Sequence, residues 1–111
     1  MPDGPAFARI VLITAASPEE AEKLARTLVE EQLAACATLI PSVRSIYRWQ
    51  GKVEDSTETM LLIKTGAEQL PALEALVQAL HSYETPEFLV LAVESGSPAY
   101  LDWLMASLSK R

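Results

Sequence analysis

The chain has 111 residues, half of them hydrophobic and 22% charged, with a formal net charge of −6; this describes one soluble domain over residues 1–111, large enough to bury a core without staples. The single cysteine, Cys36, excludes an intrachain disulfide framework and favours a reducing, cytoplasmic compartment. The longest uncharged apolar stretches, 33–43 and 88–93, fall short of the ~20 residues of a membrane-spanning helix, and a pI near 4.7 with dispersed Lys and Arg argues against nucleic acid. Residues 1–7 carry neither the basic nor the apolar region of a signal peptide and read as a loose lead-in.

The β-branched run Ala8 to Thr14 predicts a strand buried on both faces. Ser17-Pro18-Glu19-Glu20 then opens a helix, with a hydroxyl at the N-cap, proline at the first helical position and a carboxylate three residues after the cap. Ala21, Leu24, Ala25, Leu28 and Val29 give it a core-facing stripe. Leu33 to Ile40 predicts a second strand, with Pro41 marking a bend or edge. A further extended piece, Ser45 to Trp49, leads through Gln50-Gly51, where glycine supplies the positive φ of a tight hairpin. The return passes the polar patch Asp55-Ser56-Thr57 into the strand Glu58 to Thr65, whose apolar centre predicts cover on both faces. A second helix spans about 67–80 with the stripe Leu70, Leu73, Leu76, Val77 and Leu80. After the polar connector 81–87, Phe88 to Val93 is expected as a central strand, and Ser97-Pro98 opens a short C-terminal helix marked by Leu101, Leu104, Met105 and Leu108.

Strand, helix, strand, strand, helix, strand and a terminal helix is the α+β, ferredoxin-like split βαβ pattern. The hairpin over 43–63 is longer than a compact four-stranded sheet can use, and Ile46, Tyr47 and Trp49 put apolar bulk on both of its faces. A partner copy is the natural cover.

Several residues are candidates for chemistry. Cys36, without a charged neighbour within three residues, reads as a small core hydrophobe or, less simply, as a reactive thiol. His81, the only histidine, either caps the second helix or joins Glu84 and Glu87 in an open divalent-metal site. Tyr47, Arg48 and Trp49 read as interface packing or as a stacking platform. Lys64 and Thr65, before Gly66 and a helix start, read as an anion contact or a solvated strand end. No Gly-x-Ser-x-Gly, Gly-x-Gly-x-x-Gly or P-loop is present, and a Ser-His-Asp arrangement would have to use His81, so no enzyme activity and no organic cofactor are expected.

The segments Leu33 to Pro41, Ser45 to Lys52, Leu62 to Thr65 and His81-Ser82-Tyr83-Glu84-Thr85-Pro86-Glu87 resemble, in order and spacing, the signature segments of the CutA divalent-cation tolerance family, over roughly residues 9–108. The resemblance implies a homotrimer of ferredoxin-like protomers, similar in architecture to PII-type signalling proteins, with tolerance of copper or other divalent cations and no firmly attached enzymatic activity. It implies intersubunit clefts, for which Tyr47, Trp49, Lys64 and Tyr83 are the candidates, and a metal site of which His81, Glu84 and Glu87 are the candidates. Two departures bear on copper: where family members have a cysteine before the threonine matching Thr14, and a second histidine before the one matching His81, this chain has Ile13 and Leu80. Ser82 replaces the usual proline, which is expected to leave the connector freer. Two functions follow as expectations. The first is a trimer that responds to divalent metal, binding it weakly or indirectly. The other is a PII-like sensor or scaffold taking a small anion or partner protein in intersubunit clefts. Three chains would carry a formal charge of about −18, which attracts cations whether or not a defined site exists.

Overall fold

The computed structural model describes residues 7–109. In chain order the elements are β1 (Ala8–Ala15), α1 (Pro18–Glu30), β2 (Cys36–Trp49), β3 (Lys52–Gly66), a 3-10 turn (Ala67–Gln69), α2 (Leu70–Leu80), β4 (Leu89–Ala92) and α3 (Pro98–Ala106). This is a mixed α+β fold whose strands form one four-stranded antiparallel sheet in the order β2-β3-β1-β4. The lead-in expected over residues 1–7 lies outside the described residues except for Phe7, whose carbonyl accepts the Ala67 N–H at 2.9 Å.

Alternation along the central strands decides which side chain meets which layer. Val11 and Ile13 of β1 and Leu61 and Ile63 of β3 are fully buried beneath α1 and α2, which contribute Leu24, Leu28, Leu73 and Val77 to the same core. The helix ends follow from local sequence. Ser17 Oγ accepts the Glu20 N–H at 3.1 Å at the start of α1. Past its end Gln32 takes a left-handed φ of 58°, and the Leu33 and Ala34 amides both donate to the Leu28 carbonyl. Val29 and Leu80, expected on the apolar stripes, sit at their margins and are exposed. Helix α3, entered through the Ser17-like cap Ser97, closes one end of the sheet by packing Leu101, Leu104 and Leu108 against Ala8 and Ala35.

The opposite sheet face is different. Ile10, Leu12, Met60 and Leu62 point there and are only half-buried, while Ile40, Leu89 and Leu91 are 42%, 56% and 48% exposed. The cover on both faces expected for β1 and β3 is therefore supplied on one face only by the described residues.

Three expectations about strands need correction. Leu33 to Ala35 precede β2 rather than belonging to it, and the strand continues past Pro41, which marks a bend on an edge strand as expected. A bulge between Ile40 and Val43, with Ser42 at φ 61°, absorbs the proline and lets β2 run to Trp49. The polar patch 55–57 lies inside β3, because only Thr59 to Gly66 pair with β1 and the rest leaves the sheet with β2 as a two-stranded arm. The arm needs no core, so polar residues are at home in it. Finally, β4 is a four-residue edge strand, exposed throughout, and not a central one. The arm gives the molecule its 48 Å long axis. At its tip both Gln50 and Gly51 have positive φ, 50° and 80°, the geometry of a two-residue type I′ turn.

The two glycines bounding β3 differ in what they require. At Gly66 a Cβ would meet the Phe7 ring and stand 2.7 Å from Gln69 Oε1, whose side chain is buried, whereas at Gly51 nothing lies within 4 Å. Gly66→Ala is expected to cost about 1–3 kcal/mol through overpacking. Gly51→Ala should cost about 1 kcal/mol through its positive φ alone. Denaturant titration of both variants checks the order; equal losses would show that Phe7 and Gln69 give way.

Candidate functional site

The connector between α2 and β4 is pinned to the rest of the fold by His81. Its side chain is fully buried. Nε2 lies 2.7 Å from the Thr14 carbonyl, which can only accept, and Nδ1 lies 3.0 Å from the Tyr83 N–H, which can only donate. The partners fix the tautomer with the proton on Nε2 and occupy both nitrogens. Glu20 Oε2, 3.6 Å from Nδ1, is close but accepts elsewhere. It takes the Ser82 N–H at 2.7 Å, while Oε1 takes the Ser82 hydroxyl at 3.0 Å and the Ala16 N–H at 3.1 Å. Burial works to raise the Glu20 carboxyl, but the hydrogen bonds from Ser82 and Ala16 outweigh it and hold the group below the usual carboxylate range. Ser82 therefore ties the connector down, the reverse of the freedom expected from the missing proline, because a proline could supply neither donor.

With the connector fixed, Tyr83, Glu84, Thr85 and Glu87 form one wall of a cavity of about 610 Å³. The base of the arm forms the other wall with Ser45, Ile46, Tyr47 and Trp49, and Thr14 and Glu58 complete the lining. The Tyr83 hydroxyl donates to Glu58 Oε2 at 2.7 Å. Glu58 is 6% exposed although it carries a carboxylate. Burial pushes the Tyr83 phenol strongly up, and the Glu58 hydrogen bond adds to it, so the phenol stays protonated as a donor. Burial also raises the Glu87 carboxyl, with the neighbouring Glu58 charge as the smaller cause.

Two groups of residues expected to form separate sites thus share one cavity: Glu84 and Glu87 from the metal set, Tyr47, Trp49 and Tyr83 from the cleft set. His81 stands behind the cavity as a positioning residue for Thr14 and Tyr83. Among the described residues no group of three His, Cys, Asp or Glu is placed to hold a metal ion, so His81, Glu84 and Glu87 are not gathered as a ligand set within one chain. Lys64 is not at this cavity. It lies ten residues along β3 from Glu54, the partner of Tyr47, about 33 Å away at strand rise, and donates to Thr38 Oγ1 at 2.7 Å. Thr65 is neither solvated nor an anion contact: it is buried and donates to the Leu33 carbonyl at 2.7 Å. Cys36 is half-buried on the open sheet face, not in the core, and Lys64 Nζ reaches within 3.7 Å of it across the strand pair. Two contributors carry little sign in the sequence. Glu20 reads as an ordinary capping residue, and Glu58 as one more polar residue where the polar stretch of the hairpin meets its apolar centre. Only the Glu58 position next to an apolar run could have marked it.

His81→Ala should destabilise the fold by about 2–4 kcal/mol, since it opens a cavity and leaves the Thr14 carbonyl and Tyr83 amide unpaired; urea titration measures this, and a loss below 1 kcal/mol would mean the latch is dispensable. The two perturbed carboxyls predict opposite pH behaviour. Because the folded Glu20 pKa is lowered, its stabilisation is present at neutral pH and lost as pH falls below the ordinary carboxylate value, so Glu20→Gln should lower Tm at neutral pH and matter less in acid. Because the folded Glu87 pKa is raised, its ionised form weakens the fold, so Glu87→Gln should raise Tm at neutral pH, with the gain shrinking in acid as the wild-type group protonates. Melts of the two variants across the acid range check both signs.

Comparison with known proteins agrees with this architecture. Residues 9–107 match the family described as CutA1 divalent ion tolerance protein. A divalent-cation tolerance protein CutA from Thermus thermophilus is 48% identical over 95 residues, covering 86% of this chain and 92% of that protein. Protein CutA from Mus musculus is 41% identical over 100 residues, which is 90% of this chain and 56% of the mouse protein. Among solved structures, the Thermus thermophilus protein superposes with a TM-score of 0.90 at 45% identity, covering 92% of this chain and 99% of that one. CutA1 from Oryza sativa gives a TM-score of 0.92 at 36% identity, covering 95% and 96%. With the matched segment running from the first strand through the C-terminal helix, the chain belongs to the CutA1 divalent ion tolerance family.

Proposed function

We propose that this divalent-cation tolerance protein works as a homotrimer that meets copper or another divalent metal weakly or indirectly, without a closed metal centre in the single chain. The observation that carries the assembly is the open sheet face. Ile10, Leu12, Met60, Leu62, Leu89 and Leu91 form an apolar surface that Trp49, 51% exposed, continues on the arm, while Ile46 and Val53, each 66% exposed, stand on the arm's other face. Apolar area of this extent supports association with further copies of the chain. Three copies are the number the family resemblance implies. For the metal, the donor set argues for loose capture. His81 has no free nitrogen, Glu84 and Glu87 are carboxylates without a third gathered ligand, and a weak oxygen site suits cations held partly through water. The family is named for tolerance rather than for a reaction, and no catalytic step is assigned to these residues.

A small anion is a poor occupant of the cavity, because three carboxylates line it and no Lys or Arg does. The PII-like reading keeps its support only as a scaffold or as a sensor of something other than an anion.

Sedimentation equilibrium is expected to give a species of about 36 kDa, three times the 12.1 kDa chain, and Leu62→Glu should break it into monomers. A monomeric wild type would end the trimer reading. Titration calorimetry with Cu²⁺ and Zn²⁺ should show weak binding that survives in His81→Gln; tight stoichiometric binding abolished by that variant would place His81 in a metal site after all.

A further inference from the structure

The sheet register brings together two nucleophiles that neither the cavity nor the apolar face uses. Cys36, the first residue of β2, pairs directly with Lys64 of β3, at the end of the sheet closed by α3 and away from the arm. Lys64 Nζ donates to Thr38 Oγ1 at 2.7 Å and stands 3.7 Å from Cys36 Sγ. Among the described residues no carboxylate forms an ion pair with Lys64, so Thr38 alone holds the amine against the sulfur. Tyr100 of α3 also reaches the thiol, and its phenol is raised by burial and, to a smaller extent, by Cys36. A thiol oxidised once by a hydroperoxide becomes a sulfenic acid, which a thiol captures as a disulfide or a nitrogen as a sulfenamide. With no second cysteine in the chain, capture by a thiol is closed within one subunit, and Lys64 is the nitrogen in reach. The contact joins two strands of one chain on the sheet's β2 edge. An ammonium without a carboxylate resists burial among apolar side chains, so this corner belongs at the wet rim of the face that copies cover, and the oxidant it needs is little larger than water.

We propose that Cys36 and Lys64 are an oxidative modification site at which a hydroperoxide closes a reversible sulfenamide bond between Sγ and Nζ, stapling β2 to β3. The thiolate sulfur attacks one peroxide oxygen and the O–O bond breaks. The departing hydroxide takes a proton from the Lys64 ammonium and leaves as water. Sulfur has then been oxidised by two electrons, the peroxide reduced, and Lys64 left as a neutral amine. Its lone pair attacks the sulfenic sulfur, the S–O bond breaks, and a second water leaves with a proton from the same nitrogen. The flexible four-carbon stem of lysine supplies the approach from contact to bond. Two equivalents of a small thiol reverse the step, returning thiol and amine and leaving as a disulfide. The bridge also removes the Lys64 charge from the border of the apolar face.

The test treats the reduced, full-length protein with hydrogen peroxide and maps tryptic peptides by mass, so that oxidation of the three methionines is scored apart. Cleavage after Lys64 should be lost, and the peptides carrying positions 36 and 64 should travel joined, about 2 Da below their summed mass. Dithiothreitol should restore both peptides. Lys64→Arg keeps the cation but removes the amine, so its Cys36 peptide should instead gain about 16 or 32 Da. Cys36→Ser should leave cleavage after Lys64 intact. A wild-type Cys36 peptide that gains oxygen while Lys64 is still cleaved, or that stays reduced while the methionines oxidise, would overturn the proposal. A disulfide between two chains through Cys36 would do so as well, because another subunit's thiol would then have outcompeted the amine. The same reaction on Leu62→Glu separates this site from the trimer reading. A bridge formed alike in that variant and in wild type supports the site whatever the number of copies, and a bridge formed only in the variant overturns it for the assembled protein.

Discussion

The register between β1 and β3 is the constraint from which the rest of the structure follows. Ala8 pairs with Gly66 and Ala15 with Thr59, without a slip between them. Strand side chains alternate, so this register sends Val11, Ile13, Leu61 and Ile63 under the helices and Ile10, Leu12, Met60 and Leu62 to the open face. The same parity puts Thr14 and Glu58 on the open-face side, at the end where the arm departs. A slip by one residue would drive Lys64 and Glu58 beneath α1 and α2. The cost of burying two charges in a core with no partner for either is several kcal/mol per ion, enough to exclude the slipped pairing in a marginally stable domain. The cavity is thus a consequence of sheet register, and the placement of Glu58 is fixed by the same pairing that builds the core.

Much of this fold was legible in the sequence because its signals are local. Ser17 and Ser97 cap helices through their own third-neighbour amides, the stripe of α1 follows from spacing, and Gly51 marks the hairpin tip. Where the reading failed, a distant contact had outweighed a local signal. Pro41 marks the bend expected of it, but the strand runs on past it, because β3 continues alongside and a bulge is cheaper than breaking the ladder. Cys36 has no charged neighbour in sequence, yet cross-strand pairing sets it opposite Lys64. Thr65 looks solvated beside Lys64, but alternation turns it inward to the Leu33 carbonyl.

The candidate site was legible only as a set of residue types. The acids and aromatic rings that line it were all singled out, except Glu58, but they were divided between two sites, and Lys64, which lies farther along β3, was grouped with them. His81 shows why. A lone histidine near two glutamates has the composition of a metal site, and nothing in the sequence says that Thr14, 67 residues away, will take one of its nitrogens. Ser82 shows the converse: a residue that looks like a loss of rigidity becomes a gain, because Glu20 lies within reach of both its donors.

Charge at two scales separates general from specific attraction. The chain carries −6, and in a trimer about three times that, but a field spread over exposed side chains is screened beyond roughly 8 Å at physiological ionic strength. It raises the local concentration of every cation alike, including any divalent metal. Glu58 is shielded from that screening by its burial, and its interaction with a bound cation would be read at a lower effective dielectric. Discrimination among cations then falls to the shape of the walls. A hydrated metal ion gains little from Tyr47 and Trp49, so neither the general field nor the burial that raises the Glu87 carboxyl makes a specific site by itself.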